Sequence, residues 1–513
     1  MKLLRSSFIV GSFTMLSRLL GFVRDMLFAF ALGSGPMANV FFVAFRFPNL
    51  FRRWFAEGAF NAAFLPMYAK KLEEEGAPVA NRFAGETLSG LLLVLLVFML
   101  ATELSMPWLM VALAPGFLED PGLFAKAILF TQITIPYIFF MSVTAMMSGV
   151  LNAHNRFIAA AFAPVLLNVV FITILMKPSN DPAQIALWLS LGTLVSGALQ
   201  AGVVFFALRR AGIHLRISRP RMSPDMRKLL ALGIPGALAA GVVQINLIVS
   251  QAFATLQDGA VAWLNYADRL YQLPLGVVGV AMGVALLPAL SREVRSDKPE
   301  AALSTQNEAL LLATVFTLPA AIALFVLPDF FVEGLFLRGA FTLDDAAATA
   351  SALQVYAWGL PSFILIKVFA PGFFARQDTK TPMILAGVSM LINIALGAFL
   401  FFQIGFVGLA IATSIAGWAN GLLLGYMLWR QGRFTPDKKL ILRLLRVGLA
   451  AGVMGAALAV IAYPLRDAMS GLPASYLLAA VLVSLIGAVL YGVSALAVGA
   501  LRFSELRAVF RRS

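Results

Sequence analysis

Cysteine is absent from the 513 residues, and histidine occurs only twice. No disulfide framework and no thiolate metal centre can be built from such a chain. His154 and His214 fall in polar connections, so a buried imidazole metal site is not expected either. Charge is also scarce: Asp, Glu, Lys and Arg make up 12% of the chain and hydrophobic residues 60%, where a soluble globular domain carries about 25% charge. There is no G-x-x-x-x-G-K-[ST] phosphate loop, so ATP hydrolysis within the chain is not expected. No His–carboxylate cluster suggests a membrane phosphatase, and no paired aspartates in a cytoplasmic loop suggest a glycosyltransferase. The first apolar run lacks a small-x-small cleavage site and is interrupted by Arg18, which reads as a retained helix and not a signal peptide. No resident metal or cofactor is expected.

What the chain has in abundance is apolar stretches of about 20 residues or more, the length of a membrane-spanning helix. Fourteen are predicted, at 8–32, 37–64, 83–113, 124–150, 157–176, 184–208, 227–256, 261–290, 308–328, 347–374, 382–402, 405–429, 444–463 and 475–500. The chain thus reads as an all-α polytopic membrane protein. An even count puts both termini on one side, and the basic residues choose the side. Of the 39 Lys and Arg residues, 28 fall in one set of loops and the termini, against four in the opposite loops and their flanks. The termini are therefore expected in the cytoplasm. The net charge of +14 is mainly a topology signal that also favours anionic lipid heads, and it gives no reason to expect nucleic acid as a partner.

The chain repeats itself. "GPMANVFFVAFRFPNLFRRWFAEGAFNAAFLPMYAKKL" from Gly35 and "GAVAWLNYADRLYQLPLGVVGVAMGVALLPALSREV" from Gly259 share a Gly, an Arg about ten residues on, a Pro, a Leu-Pro and a charged exit. A weaker pair starts at Ile135 and Leu360, each followed by a helix carrying an Asn, Asn168 or Asn393. Two six-helix lobes are predicted, 1–226 and 227–437, related by an axis along the membrane normal and facing a central cavity. The segment 438–513 adds two helices outside the repeat. Gly417, Gly421 and Gly425, Gly279 with Gly283, and Gly448 with Gly452 have small-xxx-small spacing and predict helix contacts.

The remaining seven cations lie inside predicted spans: Arg18, Arg24, Arg46, Arg52, Arg53, Arg269 and Lys367. A charge at bilayer depth costs roughly 2.5–3.5 kcal/mol on insertion scales, so each calls for a use. In "SRLLGFVRDMLFAFALG", Ser17, Gly21, Arg24 and Phe28 share one helix face, and Arg18 and Asp25 a neighbouring one. Pro48 should bend the second helix, where Arg53 and Glu57 stand four apart and can pair. Only Asp25, Glu57 and Asp268 are clear acidic partners, which leaves several cations uncompensated. Six of the seven are Arg, which binds phosphate bidentately and stays charged when desolvated. A surplus of this kind suits a diphosphate. Lys367 either joins the cavity or pairs with a carbonyl.

The four motifs "SRLLGFVRDMLFAFALG", "FFVAFRFPNLFRRWFAEGAFNAAFLP", "NYADRLYQLPLGVVGVAMGVALLP" and "APGFFARQDTKTP" together resemble the MurJ/MviN lipid II flippases, within the superfamily of multidrug and polysaccharide exporters. The resemblance covers the whole chain. It implies an alternating-access carrier, not an enzyme, in the bacterial inner membrane, moving a lipid-linked peptidoglycan precursor from the cytoplasmic to the periplasmic leaflet. By motif position Arg18, Arg24, Arg52 and Arg269 match the cavity arginines, with the last three on the diphosphate. Asp25 would restrain or gate Arg24, and Ser17, Asn39, Arg53, Glu57, Asp268 and Lys367 would gate or pair charge. The last two helices would hold the polyprenyl tail. Many members carry Asp where this chain has Asn39. The seventh and eleventh helices lack the acids that bind sodium in some members, so membrane potential is the expected driver. Cell-wall synthesis enzymes are the expected protein partners. Two rival readings are an exporter of another lipid-linked anionic oligosaccharide and a membrane enzyme acting on polyprenyl diphosphates.

Overall fold

The computed structural model describes residues 2–52, 59–472 and 474–501. The regular structure among the described residues is all helical, with no strand. In chain order the helices are α1 (Lys2–Leu32), α2 (Pro36–Arg52), α3 (Ala59–Glu74), α4 (Ala77–Leu113), α5 (Pro121–Thr134), α6 (Pro136–Ala153), α7 (Ile158–Leu175), α8 (Pro182–Arg210) and α9 (Pro224–Ala254). They continue with α10 (Ala260–Arg295), α11 (Pro299–Val326), α12 (Pro328–Phe336), α13 (Leu343–Phe374), α14 (Lys380–Ile404), α15 (Phe406–Arg430), α16 (Lys438–Ala468) and α17 (Ser475–Ala497).

All fourteen expected spans fall on these helices. The chain is a multi-pass membrane protein, and ten of its described helices are long and apolar enough to cross a bilayer by length and composition. The second span covers α2 and the start of α3, with residues 53–58 outside the described residues. Two differences in segmentation start at prolines. The fourth span is interrupted between α5 and α6 at Pro136, which has no N–H to continue the ladder. The ninth is followed by the short α12, which starts at Pro328. Proline opens α5, α6, α8, α9, α11 and α12, where its missing N–H costs nothing. Side chains close the remaining orphan donors: Asp181 caps α8 and Ser223 caps α9, while Thr342 and Asp345 form a reciprocal capping box on α13.

The chain divides into two compact units, Met1–Ala262 and Trp263–Ser513. In the first, α7 packs on α1 and α8, α6 on α8, and α3 on α9. In the second, α13 and α14 both pack on α15, and α11 packs on α13 and α16. The triad α6–α7–α8 thus recurs as α13–α14–α15, the packing counterpart of the weaker sequence repeat. The stronger repeat also shows in the helix starts. α10 begins directly after Gly259 and α2 directly after its counterpart Gly35; the positive φ that glycine tolerates and L side chains resist falls on Gly259 itself (+78°) in one and on Gly33 (+57°), two residues earlier, in the other.

The glycine expectations divide. A Cβ on Gly417 would lie 2.5 Å from Ser362 Oγ, one on Gly421 3.0 Å from Leu365 Cβ, and one on Gly425 2.9 Å from Phe369 Cε2, so this row lets α15 close onto α13. Gly448 and Gly452 have nothing within 4 Å of such a Cβ. They sit on an open face of α16 with Leu445, Leu449 and Val453, all exposed. The same spacing serves contact in one helix and an open face in the other, because spacing sets only that residues share a face.

Candidate functional site

Inside the first unit a cavity of about 230 Å³ is lined by Ser17, Gly21 and Arg24 of α1, Asn49 of α2, Tyr137 and Met141 of α6, Pro164, Leu167 and Asn168 of α7, and Gln200 of α8. The predicted face of α1 is the one that lines it: Ser17, Gly21 and Arg24 recur at helical spacing along its wall. Phe28, one turn further, is buried below Arg24.

Among the described residues Arg24 is the only formally charged one in this lining, and it is 8% exposed. Its Nε and Nη2 both donate to Asp25 Oδ1, at 3.0 and 2.7 Å. Its Nη1 donates to Asn168 Oδ1 at 2.9 Å. The guanidinium also lies 5.6 Å from the Phe28 ring and 6.0 Å from that of Phe171, within cation–π range. Asn168 in turn donates to Ser17 O at 2.9 Å and Ser17 Oγ at 3.3 Å. A Cβ on Gly21 would sit 3.7 Å from Asn168 Oδ1, ordinary van der Waals contact, so the amide packs directly against α1 at this level. The result is one connected network, Asp25–Arg24–Asn168–Ser17, that ties α1 to α7. It holds the cation at low exposure by satisfying it, as a buried charge requires.

The other expected residues are placed as follows. Asp25 is buried and faces Arg24, whereas Arg18, expected on the same face as Asp25, is exposed. Asn39 is buried in α2; its Nδ2 donates to Ser34 O at 3.3 Å and its Oδ1 accepts from Ala262 N at 3.0 Å. It therefore caps the first turn of α10 from outside that helix. Arg52 closes α2. Arg53 and Glu57 lie outside the described residues. In the second unit, Asp268 accepts a hydrogen bond from Gln272 Nε2 one turn along α10, and Arg269 is half-buried. Lys367 of α13 is exposed, with its Cε 4.0 Å from the Cβ position of Gly279 on α10.

Sequence reading missed Gln200. It is 1% exposed, and its Nε2 finds no hydrogen-bond partner among the described residues. The signal was present: in "LWLSLGTLVSGALQAGVVFFAL" it is the one amide amid apolar and small residues, and a polar group inside a span asks for a reason.

The chain matches the family model described as "Lipid II flippase MurJ" over residues 28–493. It is 44% identical over 477 residues to a Rhizobium meliloti protein named "Probable lipid II flippase MurJ", covering 91% of this chain and 89% of that one. A Burkholderia cenocepacia protein named "Lipid II flippase MurJ" is 36% identical, with 85% and 86% covered. Among solved structures, "Lipid II flippase MurJ, inward closed conformation" superposes with a TM-score of 0.78 at 25% identity, over 95% of this chain and 98% of that one. An inward-facing multidrug transporter of the MATE family shares the fold alone, with a TM-score of 0.69 at 16% identity over 83% and 97% of the two chains. Motifs, helix order and a buried arginine network thus meet in a match over most of the chain: the chain belongs to the lipid II flippase MurJ family.

Proposed function

We propose that this protein is an alternating-access flippase that carries lipid II from the cytoplasmic to the periplasmic leaflet of the bacterial inner membrane, with both termini in the cytoplasm. Lipid II is a polyprenyl diphosphate bearing a disaccharide peptide. Arg24, Arg52 and Arg269 hold its diphosphate, and Arg18 acts at the cytoplasmic mouth. The observation that carries the reading is Arg24, a buried guanidinium inside a span, tethered by a single carboxylate oxygen and one amide. A phosphate oxygen offers the same acceptor geometry as Asp25 with more charge, so the head group competes with Asp25 for the fork. Asp25 then keeps the cation satisfied between cargoes. The positive site also couples to membrane potential, which acts with roughly 2.3 kcal/mol per charge per 100 mV.

The polyprenyl tail stays in lipid along α16 and α17. Support comes from the open Gly448 and Gly452 beside Leu445, Leu449 and Val453, a smooth apolar strip on α16. Membrane lipids bathe this strip, and cell-wall synthesis enzymes that use the flipped precursor are the natural protein partners.

The test is complementation in cells depleted of their own flippase, with wild type, Arg24→Ala, Arg52→Ala and Arg269→Ala at matched membrane expression, alongside labelling of periplasm-facing lipid II. Wild type should restore growth and labelling while each variant accumulates precursor inside. A wild type that restores neither refutes the cargo assignment and points to another lipid-linked oligosaccharide. Alanine variants that work normally refute the arginine site.

A further inference from the structure

We infer that the cavity inside the first unit is a subsite for a secondary amide of the cargo, with Gln200 as its recognition residue. The inference rests on the reading that lipid II is the cargo. Three observations lead to it.

The first is Gln200 itself. Its side chain is almost fully buried, it lines the cavity, and its Nε2 donates to nothing among the described residues. Buried polar groups are nearly always satisfied, and an exception beside a cavity marks a group awaiting a partner. The polar neighbours on its own helix contrast with it. Ser190, Thr193 and Ser196 are buried too, yet each hydroxyl donates to a carbonyl of α8. Gln200 ends this stripe and is the member without such a bond.

The second is how firmly Gln200 is aimed. Three residues before it, a Cβ on Gly197 would lie 2.8 Å from Tyr137 Cδ2 and 3.1 Å from Phe140 Cβ. α8 therefore touches α6 at van der Waals distance at this level, and Gln200 is set beside Tyr137 and Met141 in the cavity wall.

The third is charge and size. Arg24, the one charged residue among the described lining residues, is bonded to Asp25 and Asn168 and on the proposed reading passes to the diphosphate. The wall at Gln200 is uncharged and suits a neutral group of the same cargo that accepts a hydrogen bond. An amide does so, and its own N–H can return a bond to the Gln200 carbonyl, which an inorganic anion cannot. The 230 Å³ volume lies below the ~300–1,000 Å³ of pockets for drug-sized ligands, so it encloses about one sugar ring or a short peptide segment of a larger head group. Secondary amides occur in lipid II in two places, the N-acetyl groups of its sugars and its peptide.

The experiment uses purified full-length protein and native mass spectrometry with three probes: lipid II, a polyprenyl diphosphate carrying one N-acetylated sugar and no peptide, and bare polyprenyl diphosphate. Wild type is compared with Gln200→Leu and the near-isosteric Gln200→Met. Both remove a buried Nε2 that has no partner among the described residues, so the unfolding midpoint should hold or rise. Affinity for lipid II should fall about tenfold, the loss of one or two buried hydrogen bonds, while binding of bare polyprenyl diphosphate is unchanged. An equal fall for the single-sugar probe assigns the N-acetyl group, and a fall for lipid II alone assigns the peptide; both support the subsite. Equal affinities of wild type and variants for all three probes overturn it and leave the cavity to water. A wild type that binds lipid II no better than a bulk phospholipid refutes the cargo reading itself, whatever Gln200 does.

Discussion

Removing Asp25 while keeping Arg24 is the most informative perturbation of this protein. Arg24 is 8% exposed and Asp25 5%, and two of the three hydrogen bonds to the guanidinium come from one carboxylate oxygen. Asp25→Leu leaves the cation with Asn168 and two aromatic faces. Breaking a buried pair from one side costs about 3–5 kcal/mol, because the remaining charge is uncompensated. For a cooperative unit of this size that is a fall of about 5–10 °C in unfolding midpoint. Arg24→Leu should also destabilise, since it takes the guanidinium from Asp25 and from Asn168 Oδ1. The double variant Arg24→Leu/Asp25→Leu removes both charges and should recover most of the loss, as apolar replacements of buried pairs do. The assay is thermal unfolding in detergent for all four proteins, read as a double-mutant cycle, with complementation in parallel. The double variant should be stable and inactive, which separates packing from transport. Additive effects, or an Asp25→Leu cost below about 1 kcal/mol, would refute the argument that the pair is held dry and mutually dependent.

Three further outcomes follow from other parts of the molecule. Lys71 Nζ lies 3.0 Å from Asp225 Oδ2, joining the end of α3 to the start of α9, and Asp225 is the main cause that raises the Lys71 pKa. Lys71→Asp and Asp225→Lys should each weaken complementation, and the double reversal should restore it; failure of the double to recover would show that the pair is not the reason. Gly421→Ala presses on Leu365 and the Ser362 carbonyl and should destabilise by about 1–3 kcal/mol in a detergent melt, whereas Gly448→Ala meets open space and should be neutral or slightly stabilising. Asp378 accepts from Thr381 N at 3.0 Å and Thr381 Oγ1 at 2.8 Å, and these bonds lower its pKa below 3.8. A depressed carboxylate contributes stability above its unfolded pKa and loses it as pH falls through the folded value. The stability gap between wild type and Asp378→Ala should thus be constant at neutral pH and close only on acidification below about 4; a gap that closes between pH 8 and 6 would contradict this.

The sequence by itself determined the helical class, a span count consistent with the family fold, and the type of charge placed within the spans. These follow from local rules: run length and the cost of charge in hydrocarbon. Arg24 stood out on that ground alone, as did the face it shares with Ser17 and Gly21. Only the tertiary structure decided who meets whom. Asn168 lies 144 residues from Arg24 in the chain and becomes its partner because α7 packs on α1. Asn39 caps a helix 223 residues away. The glycine rows of α15 and α16 share a spacing, and one is a contact and the other an open face because only α15 has α13 against it there. Gln200 was visible as an amide in an apolar run, but that its amide reaches a cavity and no partner depends on how α6, α7 and α8 close around it. Periodicity fixes a face, and long-range packing fixes what that face sees.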